Sequence, residues 1–200
     1  MAQTGRPRSF DRDEAIHQAM LLFWEHGYEL TSLALLKAGM GGIAAPSFYA
    51  AFGSKEALFI EVIERYFVTH GQATACLWDA SLAPQDAIEQ ALRRVAKMQT
   101  DRSHPLGCLL VVSAGTCSAN NLHIQKKLTE ERAKTRAGFE ACVQRAIAAG
   151  ELPDSVNASV LALMFDTFLV GFSMQTRGGA SLSQLNAAIT QFMNVWRSFK

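Results

Sequence analysis

No stretch of this chain alternates apolar and polar residues between turn signals, so nothing in it reads as a half-buried strand, and an all-β or α/β architecture is excluded. A charge excess of either sign is also missing: the formal net charge is +1. Residues 1–65 carry Arg6, Arg8, Arg12, Lys37, Lys55 and Arg65 against Asp11, Asp13, Glu14, Glu25, Glu29, Glu56, Glu61 and Glu64, which leaves them at −2. A bulk basic footprint is therefore absent, and any nucleic-acid role must rest on where individual cations sit. The four cysteines, Cys76, Cys108, Cys117 and Cys142, show no C-x-x-C spacing and no accompanying histidine cluster. They read as reduced thiols rather than as a disulfide or zinc framework, and no metal or other cofactor is expected. The first residues, Met1 to Arg6, lack the apolar segment of a signal peptide. The most apolar stretch, Val156 to Met174, is interrupted by Asp166 and small polar residues, so no membrane partner is expected. No H-E-x-x-H, G-x-S-x-G or P-loop occurs, and His17, His26, His70, His104 and His123 are scattered, so an enzyme is not expected. There is no internal repeat and no low-complexity segment.

What is present is helical periodicity almost throughout, with about half the residues apolar, enough for a sizeable core. Asp11 and Glu14 form a D-x-x-E capping pair that opens a first helix, whose stripe is Ile16, Ala19, Met20 and Phe23. Gly27 is placed to end it, with Tyr28 folding back on Phe23. Thr31 or Ser32 caps a short second helix. Met40-Gly41-Gly42 is a turn, and Pro46 suits the first turn of a third helix ending by Gly53. Ser54 caps a fourth helix with the stripe Leu58, Phe59, Val62, Ile63 and Tyr66. Beyond residue 75 the pattern predicts helices over Pro84–Thr100, Leu106–Cys117, Leu122–Ala149, 155–177 and 182–199. In the third of these, Leu122–Ala149, the charge-rich run Lys126–Arg136 reads as solvated. Between Ser155 and Thr176 the only charge is Asp166, and a helix apolar all round needs cover, most economically from a second copy of the chain.

Residues 31–59 read TSLALLKAGMGGIAAPSFYAAFGSKEALF. With the Gly5-Arg6-Pro7-Arg8 arm, the Phe23…Gly27-Tyr28 helix end, Gly150-Glu151-Leu152-Pro153 and Gly171-Phe172-Ser173-Met174-Gln175, this resembles the TetR family of transcriptional regulators over the whole chain, most strongly to residue 67. Two features depart from the pattern. The turn holds one residue more between Thr31 and Tyr49, at Gly41-Gly42, and Leu35 stands where a polar residue is usual. The resemblance implies an all-α protein of about nine helices: an N-terminal three-helix helix-turn-helix DNA-binding domain over residues 1–67, its motif near 31–52, and a C-terminal helical ligand-binding and dimerisation domain over 68–200.

It also implies a cytoplasmic, homodimeric repressor that binds a palindromic double-stranded operator and is released by a small-molecule effector. In such a motif the second helix enters the major groove with its N-terminal residues on base edges. Here these are Ala44, Ala45 and Ser47, small enough to let the helix sink in. Thr31, Tyr49 and Lys55 are the expected phosphate grips, and Arg6 and Arg8 the arm that reaches a minor groove. Each has a structural alternative: capping for Thr31, core packing for Tyr49, a solvated helix start for Lys55 and an idle tail for the arginines. Trp78, Met98, Cys108, Phe139, Phe165 and Phe168 are candidate walls of an effector pocket, or else plain core. Cys108, at a helix start, is either a sensor of electrophiles or a structural thiol. Asp166 must find a partner, in the ligand or across subunits. Val160, Met164, Phe172, Leu185, Ile189, Phe192 and Trp196 are the candidate dimer contacts. The competing reading is a helical dimeric interaction protein that keeps the fold without operator binding, supported by the acidic N-terminal balance and the altered turn.

Overall fold

The computed structural model describes residues 11–199 and, over these, contains helices and no strands. In chain order they are α1 (Arg12–Leu30), α2 (Leu33–Gly39), α3 (Ala45–Phe52), α4 (Lys55–Thr69), α5 (Pro84–Gln99), α6 (Leu109–Gly115), α7 (Leu122–Ala148), α8 (Ala158–Arg177), α9 (Leu182–Phe192) and α10 (Asn194–Arg197). Short 3-10 turns occupy Gly71–Trp78 and Ala119–Asn121. There are ten α-helices rather than nine, because the final segment breaks at Met193 into α9 and α10.

Local chemistry explains most of the starts. The carboxylate of Asp11 accepts from the Glu14 N–H at 3.0 Å, and the Ser54 hydroxyl accepts from Ala57 N–H at 3.0 Å. Each satisfies a donor that a helix N-terminus leaves free. Pro46 and Pro84 lie in the first turns of α3 and α5, where no N–H is missed. Ser181 and Gln184 close a reciprocal capping box on α9.

Two expectations about helix ends meet different outcomes. As expected, Gly27 breaks the helical backbone (φ 76°, ψ 170°) and Tyr28 stacks on Phe23 at 6.0 Å, but a further short turn runs on beyond this kink to Leu30. The apolar helix expected from Leu106 starts only at Leu109. The backbone ahead of it is drawn into other bonds: the Gly107 carbonyl accepts from Trp24 Nε1 at 3.1 Å, and the Cys108 N–H donates to Ser173 Oγ at 3.0 Å. The charged run at the start of α7 is not wholly solvated either, since Glu131 is buried between Lys127 and Lys134.

The apolar residues condense into two cores. One joins α5, the end of α7, α8, α9 and Trp196 of α10, with Phe139, Phe165 and Ile189 fully buried in it. The other fills the N-terminal unit around Phe23, Trp24, Phe48 and Phe59, where Phe23 and Phe59 meet edge-to-face at 4.8 Å. Residues 15–66 do not close it alone. Leu109 and Leu110 of α6 and Ile124 and Leu128 of α7 complete it, and α6 lies against α1. Four cysteines are free thiols, as their spacing implied.

Candidate nucleic-acid interface and sensor cavity

α2 and α3 are joined by a turn that needs glycine twice. Gly42 N–H bonds to the Lys37 carbonyl at 2.9 Å and Gly41 N–H to that of Ala38 at 3.2 Å, a Schellman pair closing α2. Both glycines are left-handed, with φ of 78° and 79°. The additional glycine is thus spent in the turn, and α3 begins regularly with Ala44 as its cap.

α3 has two unlike faces. Phe48 and Phe52 point inward, 5.5 Å apart between ring centroids, and anchor the helix on the N-terminal core. Ala44, Pro46, Ser47, Tyr49 and Ala50 are exposed, and Ala45 is half-buried. Tyr49 is 50% exposed, so it is not a core aromatic. This outward surface carries no charge and only two hydroxyls, and its small residues allow close approach to another surface.

Four of the expected contact residues thus share one exposed helix: Ala44, Ala45, Ser47 and Tyr49. Lys55, at the first position of α4, stands beside them but is folded back. Its Nζ lies 4.4 Å above the Tyr28 ring and 3.5 Å from the Glu29 carbonyl. Burial lowers its pKa, opposed by the nearby Glu29 carboxylate. Thr31 does not belong to the surface. It is 0% exposed, and its hydroxyl donates to the Gly27 carbonyl at 2.7 Å and the Leu22 carbonyl at 3.3 Å. It seals the end of α1, and the exposed cap of α2 is Ser32, whose hydroxyl accepts from Leu35 N–H at 3.1 Å. Arg6 and Arg8 lie outside the described residues.

A cavity of about 60 Å³ lies where the N-terminal unit meets the C-terminal helices. Met98 and Cys108, two of the candidate pocket walls, line it. Cys108 caps α6, and its sulfur accepts from the Tyr66 hydroxyl at 3.5 Å. Asp166 of α8, the lone charge that needed a partner, is a further wall; the sequence did not disclose Tyr66, Phe67 and His70 at the end of α4, Leu110 of α6 or Arg132 of α7. Trp78, 59% exposed, lies elsewhere. Phe139 and Phe165 stack on each other at 5.8 Å inside the C-terminal core, and Phe168 stacks on Phe192 at 4.0 Å beside the α8–α9 groove. None of these four lines the cavity at the joint.

The joint itself is heavily bonded. The Glu29 carboxylate accepts from Asn121 Nδ2 at 2.6 Å and from Ser118 N–H at 3.2 Å, which lowers its pKa. Arg177 of α8 donates to the Glu25 carbonyl at 3.0 Å. Trp24 stacks on His104 at 4.2 Å and meets His70 edge-on at 4.8 Å.

Of the expected dimer contacts, Phe172, Leu185, Ile189 and Trp196 are buried within this chain's own core and present no outer face. Phe192 is half-buried against Phe168. Val160 and Met164 are exposed, and with Leu163, Thr167 and Met174 they form an outward stripe along α8. The adjoining outer surface of α9 is small and amide-bearing: Gln184, Ala187, Ala188 and Gln191.

Comparison with known proteins agrees with this layout. Residues 15–62 match the family model described as bacterial regulatory proteins, tetR family, and residues 84–194 match the tetracyclin repressor-like C-terminal domain. The HTH-type transcriptional repressor ComR of Escherichia coli (strain K12) is 33% identical over 195 residues, 96% of this chain and 91% of that protein. A cysteine mutant of the TetR family transcriptional regulator CifR, solved in complex with 26bp double-strand operator DNA, superposes with a TM-score of 0.88 at 35% identity. That match covers 96% of this chain and 100% of the other. A TetR transcriptional regulator from Chloroflexus aurantiacus J-10-FL shares the fold, with a TM-score of 0.78 at 23% identity over 92% of each chain.

Proposed function

This chain belongs to the TetR family of DNA-binding transcriptional regulators, and we propose that it is a cytoplasmic homodimeric repressor, without catalytic activity, that leaves its operator when a small molecule enters the cavity at the joint. The observation that carries the reading is the outward surface of α3: small, uncharged and exposed, with a hydroxyl at Ser47 and a phenol at Tyr49. Such a surface enters a major groove deeply. Ser47 bonds base edges and an alanine methyl meets a thymine methyl. Tyr49 and Lys55 hold phosphates, Lys55 by swinging off the Tyr28 ring, and Arg6 and Arg8 extend into a neighbouring minor groove. Residues 1–67 form the reading unit and 68–200 the sensing and dimerising unit.

Dimerisation pairs the exposed α8 stripe and the small outer surface of α9 with their copies in a four-helix bundle. The two-fold axis then sets the recognition helices about 34–36 Å apart, one DNA turn, so the operator is a palindrome. Release follows from shared walls. The cavity is bounded by the end of α4 and by α6, and both brace α1. A ligand that wedges these walls apart changes the separation of the two α3 helices. The coupling expected of such a switch is ~1–3 kcal/mol.

The test is selection of duplexes from a random pool, followed by fluorescence-anisotropy titration at two salt concentrations. Tight binding to a palindrome that weakens steeply with salt upholds the reading. A folded dimer that binds every duplex weakly and alike refutes it.

A further inference from the structure

Asp166 and Arg132 set the chemistry of the cavity. Asp166 is 7% exposed and lines it from α8, and Arg132 lines it from α7. Burial raises the Asp166 pKa, Arg132 and then Arg136 oppose it through space, and no hydrogen bond to the carboxylate is among the causes. Arg132 Nε is buried without a hydrogen-bond partner. An unpartnered buried donor and a carboxylate with no hydrogen bond of its own therefore line one small space.

Few groups satisfy both. A hydroxyl donates to the carboxylate and accepts from the guanidinium. A carboxylate suits Arg132 but meets the like charge of Asp166. An amine suits Asp166 but brings a third charge and gives Arg132 nothing. An ether or ketone only accepts. Most of the remaining walls, among them Phe67, Met98 and Leu169, are apolar and match a hydrocarbon body, with Tyr66, His70, Thr74 and Thr135 as the other polar side chains of the lining. At ~10–15 Å³ for each water-sized unit, the cavity of about 60 Å³ takes about four to six non-hydrogen atoms.

We propose that this cavity binds a neutral short-chain alcohol, its hydroxyl between Asp166 and Arg132. The proposal rests on the reading of the cavity as the effector site.

Four probes of equal length test it on the full-length dimer bound to its selected operator: butan-1-ol, methyl propyl ether, butanoate and butan-1-amine. Ligand-observed NMR reports binding and anisotropy reports operator release. Butan-1-ol is expected to bind at least tenfold more tightly than each of the others. Asp166→Leu and Arg132→Met, checked for folding by circular dichroism, are each expected to erase its advantage over the ether. Preference for butanoate or the amine, no binding of any probe, or an unchanged alcohol-to-ether ratio in a folded variant overturns the proposal. Selective alcohol binding that leaves operator affinity unchanged upholds the ligand class and refutes the cavity as the release switch.

Discussion

Gly27→Ala measures how tightly α1 of the N-terminal unit is fitted against α6. The backbone there has φ 76° and ψ 170°, a region open essentially only to glycine, and forcing another residue into it costs ~1–3 kcal/mol. A Cβ at this position would also stand 2.3 Å from Thr116 Oγ1 and 3.3 Å from the Val112 carbonyl. Overpacking of this kind adds ~1–3 kcal/mol, for a total of ~2–6 kcal/mol. That is a large part of the ~5–15 kcal/mol by which proteins are typically stable. Thr116→Ala removes the nearer contact and leaves the strain. On its own it costs ~1 kcal/mol or less, since the Thr116 hydroxyl bonds only to the Val112 and Ser113 carbonyls of the preceding turn. In that background Gly27→Ala is expected to cost only ~1–3 kcal/mol. Urea midpoints followed by circular dichroism at fixed protein concentration, on all four members of the cycle, give the coupling. Additivity within ~0.5 kcal/mol, or a Gly27→Ala protein as stable as the parent, would refute the argument.

Lys55→Met is expected to weaken binding to all duplexes alike and to reduce the slope of log K against log salt by about one, read from anisotropy over a potassium chloride series. Leu163→Glu, on the exposed α8 stripe, is expected to yield a folded monomer by analytical ultracentrifugation, whereas Ile189→Ala, in the core, costs ~2–5 kcal/mol of stability. Burial, then His104 and His17, hold the His70 pKa below its ordinary value against the opposing pull of Asp101. The unfolded chain then binds more protons near its ordinary pKa, so stability falls as pH drops from ~6.5 toward the lowered value. His70→Phe is expected to flatten that part of the pH–stability curve. Burial raises the Asp166 pKa, partly offset by Arg132 and Arg136. The penalty is full once pH exceeds the raised value, so Asp166→Asn is expected to raise the melting temperature at pH 7 while changing the effector response.

Helix starts were legible because they are settled within four residues: Asp11, Ser54, Pro46 and Pro84 each act on their own first turn. The end of α1 was not. Gly27 does break the helix, but a short turn follows the kink, and the Thr31 hydroxyl bonded to the Gly27 carbonyl seals it. That bond also removes Thr31 from the surface. The cavity was half legible. Asp166 stood out as a lone charge in an apolar helix, whereas Arg132 was hidden in a charged run that reads as solvated. Aromatic character pointed to Phe139 and Phe165, which fill the core because their neighbours are other helices. For the proposed dimer surface hydropathy misleads directly: on α9 the apolar Leu185 and Ile189 turn inward, and Gln184 and Ala188, one residue before each, turn outward.

The shared N-terminal core bears on how proteins of this architecture could be recombined. Leu109, Leu110, Ile124 and Leu128 come from beyond the helix-turn-helix unit, yet fill its interior. A chimera cut near residue 67 would join a reader to a foreign α6 and leave voids beneath Phe59 and Trp24. Specificity and sensing are therefore not freely exchangeable modules in this chain, and a workable graft carries α6 and the first turns of α7 along with the DNA reader.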